Sequence, residues 1–353
     1  MEYNKKLSVI IATYNSEKVL EKALSAIHRQ TLPQDELEIL VMDGMSSDRT
    51  REIANEYGCR IIDNPKVEQG NAKMLGMKNA SGRYILFVDS DEALENPGAL
   101  NDTINALEEN KNCHVAICSG YKKPEDYPSL SGYISDLGDP FSFFVYNFPK
   151  DYRFYAQVLK KRYEILRNEE AYFVFDCDLQ KCFPLIEGGC GGIVMDMEYY
   201  DEHVPECRNS ISTLYHSFYL MCEQGDTNVI YMKNSPLAHY SSDRFAGYFR
   251  KLKWRICNNI HFTEKGKEVF SGRQSFQKTN KSKKYLFIPY GVSVVVPFLH
   301  SIPYAISRKN PVYLMHCIFA FYVVVEIFIQ YARKIVGRPP AFVTYGSGDK
   351  INK

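Results

Sequence analysis

The sequence has almost no net charge, no paired cysteine motif and no long apolar run at its start. Its 43 basic and 42 acidic residues nearly cancel, which removes any global electrostatic argument for a nucleic-acid partner. Its 10 cysteines show neither CxxC pairs nor a Cys/His zinc spacing, and in a chain of this length they are typical of buried thiols in a reducing compartment. Leu7–Ala12 is too short for the core of a signal peptide. We therefore expect any membrane attachment to lie later in the chain.

An uninterrupted apolar strand that ends on two carboxylates is the most informative feature that is present. Residues 84–88 are all apolar or aromatic, and they run directly into Asp89-Ser90-Asp91. Such a run is typical of a strand buried on both faces of a parallel sheet. Because Asp89 and Asp91 flank a single residue, a turn there can aim both carboxylates at one hard cation, and Mg²⁺ or Mn²⁺ prefers such oxygen ligands. Solvated acids in a turn are the alternative.

The N-terminal half of the chain alternates predicted strands with amphipathic helices. Three apolar runs precede the strand just described: Leu7–Ala12, Glu38–Met42 and Arg60–Ile62. This order predicts βαβ units, and therefore an α/β fold with a mostly parallel sheet. Right-handed crossovers would place the strand ends at Thr13, Asp43 and Asp89 along one edge of that sheet. The edge collects acids and small residues, where a nucleotide can lie.

Three stretches in this half resemble the signature blocks of a known family, in the same order and with similar spacing. They are Leu7–Asn15 (LSVIIATYN), Glu38–Thr50 (EILVMDGMSSDRT) and Asn79–Glu92 (NASGRYILFVDSDE). They resemble the blocks of family 2 glycosyltransferases, which have the GT-A fold, a Rossmann-like and mostly parallel sheet with flanking helices. The resemblance implies metal-dependent, inverting transfer of a sugar from a nucleoside diphosphate.

The resemblance also implies roles for individual positions. Asp89, Ser90 and Asp91 match the motif that holds the metal and the sugar diphosphate, and Asp91 is in addition a catalytic candidate. Lys73 matches a basic residue that faces the diphosphate. Asp43 matches the acid that contacts the nucleobase, with helix capping as its alternative. The remaining nucleotide-binding candidates border the nucleotide or lie near its base or ribose: Thr13, Asn15 and Glu17.

Two departures from the family pattern leave the donor open. Gly44-Met45 replaces the commoner Asp-Gly pair, and Met74 stands where asparagine is frequent. We therefore expect a UDP- or GDP-linked sugar without choosing between them.

The acceptor side is expected between residues 96 and 240. Proline, tyrosine and glycine crowd residues 121–150, which predicts irregular loops. Residues 152–168 have the pattern of a helix, and residues 229–231 are predicted to form the last strand of the domain.

A glycine-rich loop lies within the acceptor side, with four glycines in the six residues Glu187–Gly192. Such a loop lets the backbone approach a ligand closely, and it resembles the family's glycine-rich segment before the acceptor region. The acceptor-side candidates are Gly188, Gly189, Gly191 and Gly192.

The general base that the family places after this loop has no carboxylate counterpart. The matching helix, residues 212–223, carries Leu214-Tyr215-His216 where the family usually has an acidic pair. His216 is a candidate base because imidazole titrates near neutral pH, and a structural histidine is the alternative. A phosphate acceptor is already an anion and needs no base, so the missing pair is consistent with a polyprenyl phosphate acceptor. Nearby acids that the sequence does not rank are Asp196, Glu198, Asp201 and Glu202.

A late histidine, His239, completes the candidate site. Many GT-A enzymes place such a histidine on the metal or on the diphosphate, so His239 is a candidate metal ligand. A buried, hydrogen-bonded histidine is the alternative.

The C-terminal third of the chain is first basic and then apolar. Residues 244–259 predict an amphipathic helix with aromatic and basic faces, which is typical of a membrane surface. Residues 285–306 carry no charge, and residues 311–332 carry only Glu326; each stretch reaches the roughly 20 residues needed to span a bilayer. Three arrangements stay open: a monotopic or re-entrant helical pair, a transmembrane hairpin, and ordinary core helices.

We therefore predict an enzyme, a hexosyl-type glycosyltransferase, with four regions. These are a GT-A catalytic domain at 1–240 (nucleotide-binding residues 1–95, acceptor residues 96–240), a basic amphipathic connection at 241–284, a membrane-associated helical pair at 285–336, and a tail at 337–353. The predicted acceptor is lipid-linked, a polyprenyl phosphate or a polyprenyl diphosphate glycan, at the cytoplasmic face of a membrane, and nucleic acid is not an expected partner. Two alternatives remain: transfer to a soluble or polysaccharide hydroxyl with His216 as base, and a catalytically silent nucleotide-binding scaffold.

Overall fold

A computed structural model of the chain describes residues 2–177, 191–241, 244–262 and 283–341. These residues divide into two compact units. The first unit contains the described residues 2–122, 152–177 and 191–239, and the second contains residues 123–151, 240–241, 244–262 and 283–341. The sequence placed residues 123–151 inside the catalytic domain, whereas the structure groups them with the C-terminal helices.

The first unit is built on strands that form two sheets. The strands are β1 (Lys5–Thr13), β2 (Leu37–Asp43), β3 (Arg60–Asp63), β4 (Gly82–Asp89), β5 (Glu92–Leu94), β6 (Val115–Ile117), β7 (Tyr121–Lys122), β8 (Glu164–Asn168), β9 (Tyr172–Asp176), β10 (Ile193–Asp196), β11 (Asn228–Met232) and β12 (Leu237–His239). Within the described residues the large sheet has the order β3-β2-β1-β4-β10-β6-β11-β9-β8, and the small one has the order β5-β12-β7. Strands β1 to β4 run parallel as predicted, while β10 lies antiparallel between β4 and β6.

The helices divide between the two units. Those of the first unit are α1 (Leu20–His28), α2 (Thr50–Glu56), α3 (Gln69–Asn79), α4 (Ala99–Glu109), α7 (Tyr155–Lys160), α8 (Met197–His203), a 3₁₀ turn (Pro205–Arg208) and α9 (Ile211–Glu223). Those of the second unit are α5 (Ser129–Leu137), α6 (Pro140–Tyr146), α10 (Phe245–His261), α11 (Lys283–Ser293), α12 (Val295–Arg308), a 3₁₀ turn (Pro311–Met315) and α13 (His316–Ile335).

Strand β1 is buried on both faces, which explains its uninterrupted apolar sequence. On one face Val9 and Ile11 join the core cluster that also contains Leu24 of α1. On the other face Ile10 meets α3 so closely that a Cβ on Gly76 would lie 2.3 Å from Ile10 Cγ2. Each fully buried aliphatic side chain of this kind contributes about 1.5–3 kcal/mol to the free energy of unfolding.

The second unit has a separate, aromatic core. Tyr133 of α5 lies with its ring centroid 5.1 Å from that of Phe319 on α13, and Phe141 of α6 lies 5.2 Å from Phe287 on α11. The aromatic pairs bury large areas and fix ring orientation, so α5 and α6 are an integral component of this unit.

The prediction of irregular loops over residues 121–150 is wrong, because α5 and α6 lie there. Two of the four prolines in this stretch stand at helix starts. Pro128 precedes α5, and Pro140 is the first residue of α6, after Asp139 whose side chain accepts a hydrogen bond from the Ser142 amide. Proline is tolerated at the first helical position because the amide there has no intrahelical partner.

Two further local predictions need correction. The helix predicted over residues 152–168 ends at Lys160 and is followed by strand β8, which pairs with β9; pairing with a neighbouring strand overrides the local helical pattern. Strand β11 is not the last strand, because β12 follows it.

The C-terminal apolar segments form helices. Residues 283–308 form α11 and α12, which are bent by 92° relative to each other. Within the described residues one helical stretch, Pro311–Ile335, is long and apolar enough to cross a membrane, and the bent pair meets the same criteria when it is taken as one broken span. The amphipathic helix expected at residues 244–259 is present as α10.

Candidate active site

The carboxyl ends of three parallel strands meet at one edge of the large sheet. The register pairs Thr13 of β1 with Asp43 of β2 and Ala12 of β1 with Asp89 of β4. Right-handed βαβ connections therefore bring together the strand ends that the sequence identified. Asp89 continues directly into the turn that carries Ser90 and Asp91.

Asp43 lies fully buried and is surrounded by donors of its own chain. Thr13 Oγ1 donates to its carboxylate at 3.1 Å, the Ser46 amide donates at 3.0 Å, and Arg51 Nη1 lies at 3.1 Å. In this arrangement Asp43 orders the loop after β2, and it does not cap α2, whose N-cap position is Arg49. Its contact with a nucleobase stays a prediction.

Asn15 and Glu17 fasten the loop after β1 to the loop after β2. Asn15 Oδ1 accepts a hydrogen bond from the Ser47 amide at 2.9 Å, and Glu17 Oε2 accepts one from the Arg49 amide at 3.1 Å. Two loops that flank a strand-end crevice are thereby held to each other. The nucleotide-binding roles that the resemblance implied for both residues remain predictions.

Lys73 is a buried cation beside the Asp-Ser-Asp turn. Its side chain is 3% exposed, and Nζ lies 2.9 Å from Asp89 Oδ1. Gln69, one turn earlier on α3, donates to the same oxygen at 3.0 Å. Ser90 Oγ lies 3.0 Å from Ser16 Oγ, which ties the turn to the loop after β1. The lysine expected to face a diphosphate thus stands next to the expected metal motif.

His239 approaches the same turn from the small sheet. Strand β12 places it opposite Glu92 of β5, and its Nε2 lies 3.5 Å from Asp91 Oδ2. Its ring lies 5.0 Å from the ring of Tyr121. The structure therefore brings together Asp91 and His239, two of the three residues proposed from the sequence as metal ligands, although they are 148 positions apart.

Glu92 is a site residue that the sequence analysis did not single out. It is 2% exposed, and its Oε2 accepts a hydrogen bond from the Asp89 amide at 3.0 Å. Burial is the main cause that raises the pKa of Glu92 to about 7; Asp89 and Asp91 contribute to the rise, and His239 opposes it. The signal was present in the sequence as a third acid directly after Asp91, but only the tertiary structure shows that this acid is buried.

Gly191 closes over this carboxylate. A Cβ at Gly191 would lie 1.7 Å from Glu92 Oε2, so only glycine fits there. Gly192 has a φ of +73° and lies against Cys118 and Leu237, which gives it a packing role. Gly188 and Gly189 lie outside the described residues.

The donor set fits a hard divalent cation that has few protein ligands. Asp91 offers a carboxylate oxygen and His239 a ring nitrogen, and Asp89 and Glu92 add negative charge beside them. Among the described residues no group of three His, Cys, Asp or Glu side chains is placed to hold a metal by itself. Mg²⁺ and Mn²⁺ commonly bind through one or two carboxylates and take their other ligands from substrate phosphates and water. The protein residues present are suited to that mode.

His216 lies in α9 and is 5% exposed. Its Nδ1 lies 2.7 Å from the Ser212 carbonyl oxygen, so this nitrogen donates and Nε2 carries the lone pair in the neutral ring. Burial lowers the pKa of His216, which keeps the ring neutral at physiological pH. These properties suit a structural histidine and do not contradict a base.

Three of the four nearby acids are engaged in ion pairs. Asp196 caps α8 and pairs with Arg83 at 3.2 Å, and Glu198 pairs with Arg83 at 2.6 Å. Asp201 pairs with Arg208 at 2.5 Å. These ion pairs give three of the four alternative bases a structural role.

Most of the site residues just described lie in a part of the chain that matches a known family. Residues 8–162 match the family model described as Glycosyl transferase family 2. The chain carries a family 2 glycosyltransferase domain. The match contains the strand ends, Lys73 and the Asp-Ser-Asp turn, whereas His239 and Gly191 lie beyond it.

Two relatives show how far the likeness of the family 2 domain extends. Poly(ribitol-phosphate) beta-N-acetylglucosaminyltransferase TarS of Staphylococcus aureus is 36% identical over 112 residues, which are 30% of this chain and 19% of that protein. Uncharacterized glycosyltransferase EpsJ of Bacillus subtilis is 34% identical over 125 residues, which are 34% of this chain and 35% of that protein. The chain therefore covers only a minor fraction of the length of either relative.

A solved structure extends the likeness to the fold. The mannosyltransferase PcManGT of Pyrobaculum calidifontis, in complex with GDP-Man and Mn²⁺, matches with a TM-score of 0.52 at 14% identity, over 92% of this chain and 88% of that one. At this identity the likeness concerns the fold alone. The fold predicted from the sequence, GT-A, is thereby confirmed.

Proposed function

We propose that the protein is a metal-dependent, inverting glycosyltransferase that moves a sugar from a UDP- or GDP-linked donor to a lipid-linked acceptor at the cytoplasmic face of a membrane. The observation that carries the proposal is the convergence of Lys73, Asp89, Asp91 and His239 at one strand end of a family 2 domain. The carboxylates and the imidazole are suited to hold a divalent cation, and the lysine ammonium is suited to pair with a diphosphate.

The chemistry follows from where charge develops. In an in-line displacement at the anomeric carbon, negative charge grows on the departing diphosphate, and fixed positive groups stabilise the transition state. Lys73 supplies such a charge without reorganisation, because its buried ammonium is already held beside Asp89. A bound divalent cation supplies further neutralising charge and orients the phosphates.

The donor class is supported by a structural neighbour. PcManGT was solved with GDP-Man and Mn²⁺, and TarS is named as an N-acetylglucosaminyltransferase. Both names fit a nucleoside diphosphate donor, and neither selects the sugar for this chain.

The donor proposal is tested by hydrolysis or transfer of a panel of UDP- and GDP-sugars with Mn²⁺ or Mg²⁺. We expect turnover that depends on the metal, and we expect Asp91→Asn to lower it at least a hundredfold because a ligand carboxylate is lost. The matched control is Asp126→Asn, since Asp126 is exposed and lies in the other unit. A wild-type chain that binds nucleotide and turns over no donor would instead favour the silent scaffold.

The acceptor proposal rests on the absence of a placed carboxylate base among the described residues of α9. Leu214, Tyr215 and His216 occupy the expected position and are buried in this helix, and Asp196 and Asp201 are held in ion pairs. A phosphate oxygen is already nucleophilic and needs no base, in contrast to a sugar hydroxyl. The apolar C-terminal helices support an acceptor that carries a lipid.

A polymer hydroxyl is the second candidate acceptor, because TarS is named for poly(ribitol-phosphate). Incubation of the protein with labelled donor and either a membrane lipid extract or a soluble polyol-phosphate polymer separates the two. We expect label in the organic phase. Label that enters only the polymer would replace the lipid acceptor with the hydroxyl acceptor and would direct attention to His216.

A further inference from the structure

The exposed apolar surface of the chain is concentrated in the second unit. Among the described residues twenty large hydrophobic side chains are exposed, and seventeen of them lie within residues 285–336. Soluble monomers rarely leave so much apolar surface in one region unless it is an interaction site.

The tip of the bent pair α11–α12 is apolar. The bend lies at Val294, whose φ of +54° is unfavourable for a β-branched residue. Ser293 Oγ donates to the Tyr290 carbonyl oxygen at 2.7 Å and stabilises the turn. The side chains around the bend are exposed, at 40–62% of their full area: Val292, Val294, Val295, Val296, Phe298 and Leu299.

The two ends of the bent pair contact two consecutive helices, α5 and α6. At its start, Lys283 Nζ lies 5.6 Å from the ring centroid of Phe144 on α6. At its end, Arg308 Nε lies 3.0 Å from Asp136 Oδ2 on α5, and both side chains are buried. Tyr313 donates to the same carboxylate at 2.9 Å. Because α5 and α6 adjoin in the chain, the two ends of the pair lie on one side of any bilayer that its tip enters.

Helix α13 is accompanied by the basic helix α10 along its length, and both run in the same direction. Three contacts mark the pairing from start to end: Tyr248 with Phe319 at 5.1 Å, Lys253 with Glu326 at 3.9 Å, and Ile260 with Lys334 at 2.8 Å. If α13 crossed the bilayer upright, α10 would carry Arg250, Lys251 and Lys253 into the hydrocarbon, which is unfavourable. Helices that lie in the plane of the interface keep such charges at the headgroups.

We propose that the second unit is a monotopic anchor for an anionic bilayer. Its bent pair enters one leaflet as a re-entrant wedge, tip first, and α13 lies beside it in the interface without crossing. Charge complementarity supports a lipid occupant, since residues 283–341 contain seven basic residues against Glu326 alone, and basic residues near an anionic surface favour binding. The proposal builds on the membrane association proposed above, and it depends on neither the donor nor the acceptor.

Topology is tested with the full chain in sealed membrane vesicles of both orientations. Lys284→Cys and Lys309→Cys are exposed to a membrane-impermeant thiol reagent, with the unsubstituted chain as control for its own cysteines. We expect both positions to be labelled from the cytoplasmic side, on which the nucleotide sugar is supplied. Labelling of Lys309→Cys only from the opposite side would establish a spanning hairpin and overturn the monotopic anchor. Donor turnover measured on the same variants reports separately on the proposed transferase activity.

The wedge is tested by flotation with vesicles rich in anionic lipid. We expect Val295→Asp to lower the bound fraction at least tenfold, whereas Leu166→Asp, at an exposed position of β8, leaves it unchanged. Thermal unfolding in detergent shows whether either variant has lost its fold, and Val295→Lys then serves as the replacement. Binding that is unaffected by both tip variants, or a wild-type chain that stays lipid-free as a dimer, would overturn the proposal.

Discussion

At the scale of single residues, the candidate site is a cluster of carboxylates paired with the Lys73 ammonium and the His239 imidazole. Lys73 pairs with Asp89, His239 with Asp91, and Glu92 supports the turn from below through the Asp89 amide. Residues that hold ligands in place commonly affect metal affinity by about 10–100-fold. Glu92 is therefore expected to affect the affinity of the site for the metal, although its side chain is buried.

Glu92→Gln is expected to raise the half-saturating Mn²⁺ concentration for donor turnover about tenfold at pH 8. The raised pKa of Glu92, about 7, makes the wild-type carboxyl mostly neutral at pH 6 and mostly ionised at pH 8. The wild type should thus need more Mn²⁺ at pH 6 than at pH 8, and the variant should lose most of that difference. Metal titrations at both pH values measure this, with Glu95→Gln as control. An unchanged pH dependence in Glu92→Gln would assign the effect to another group.

His216 is expected to make the protein sensitive to acid. Its folded-state pKa is lowered by burial, so the folded state binds fewer protons than the unfolded state near and below the ordinary histidine pKa of about 6.5. The free energy of unfolding therefore falls as the pH drops through that value. Thermal unfolding between pH 7.5 and 5.5 should show a smaller loss for His216→Gln than for the wild type. His28→Gln, at an exposed position of α1, is the control and should behave as the wild type does.

At the scale of the elements, several residues with a strained backbone lie close to the strand ends. Among the described residues, six that are not glycine have positive φ, and three of them, Asn15, Met45 and Val67, lie in the loops around β1, β2 and α3. Such conformations cost about 1–3 kcal/mol each and persist where the surrounding structure enforces them. Around Asn15 and Met45, the hydrogen bonds that Asn15 and Glu17 accept from the loop after β2 provide that enforcement.

Two glycines inside helices should respond in opposite directions to the same substitution. Gly76→Ala places a Cβ 2.3 Å from Ile10, and we expect it to lower the free energy of unfolding by about 1–3 kcal/mol. Gly132→Ala on α5 meets no atom closer than 3.4 Å, and helix propensity should make it neutral or stabilising by up to about 1 kcal/mol. Denaturation in detergent measures both. A stabilising Gly76→Ala would show that α3 does not pack on β1 as closely as described.

At the scale of the whole molecule, a balanced net charge hides a strong asymmetry. Residues 244–341 contain 17 basic and 3 acidic residues, although the chain as a whole carries a formal charge of +1. The apolar surface lies in the same region of the chain. Basic and apolar groups together are the two contributions that bind interfacial helices to anionic membranes.

This asymmetry predicts how vesicle binding depends on salt. Raising the ionic strength from 0.01 to 1 M shortens the Debye length from about 30 to about 3 Å, so the electrostatic contribution to binding on anionic vesicles should be largely lost. The apolar contribution should remain. At low salt, binding to neutral vesicles should be weaker than binding to anionic vesicles, and it should be almost independent of the salt concentration. Flotation over this range measures both contributions. Equal binding to neutral and anionic vesicles at low salt would show that the basic residues do not contribute.

The features of the protein that depend on local pattern can be predicted from the amino-acid sequence. Buried parallel strands are continuous apolar runs, so the strands that end at Thr13, Asp43 and Asp89 and the helices between them were predictable, and the three blocks pointed to the family. Local pattern did not determine which distant elements pair. The strand β12 that brings His239 to Asp91, the burial that raises the pKa of Glu92, and the grouping of α5 and α6 with the C-terminal helices arise from contacts between residues far apart in the chain. Such contacts leave no periodic signal in a single sequence, and for that reason they become visible only in the folded chain.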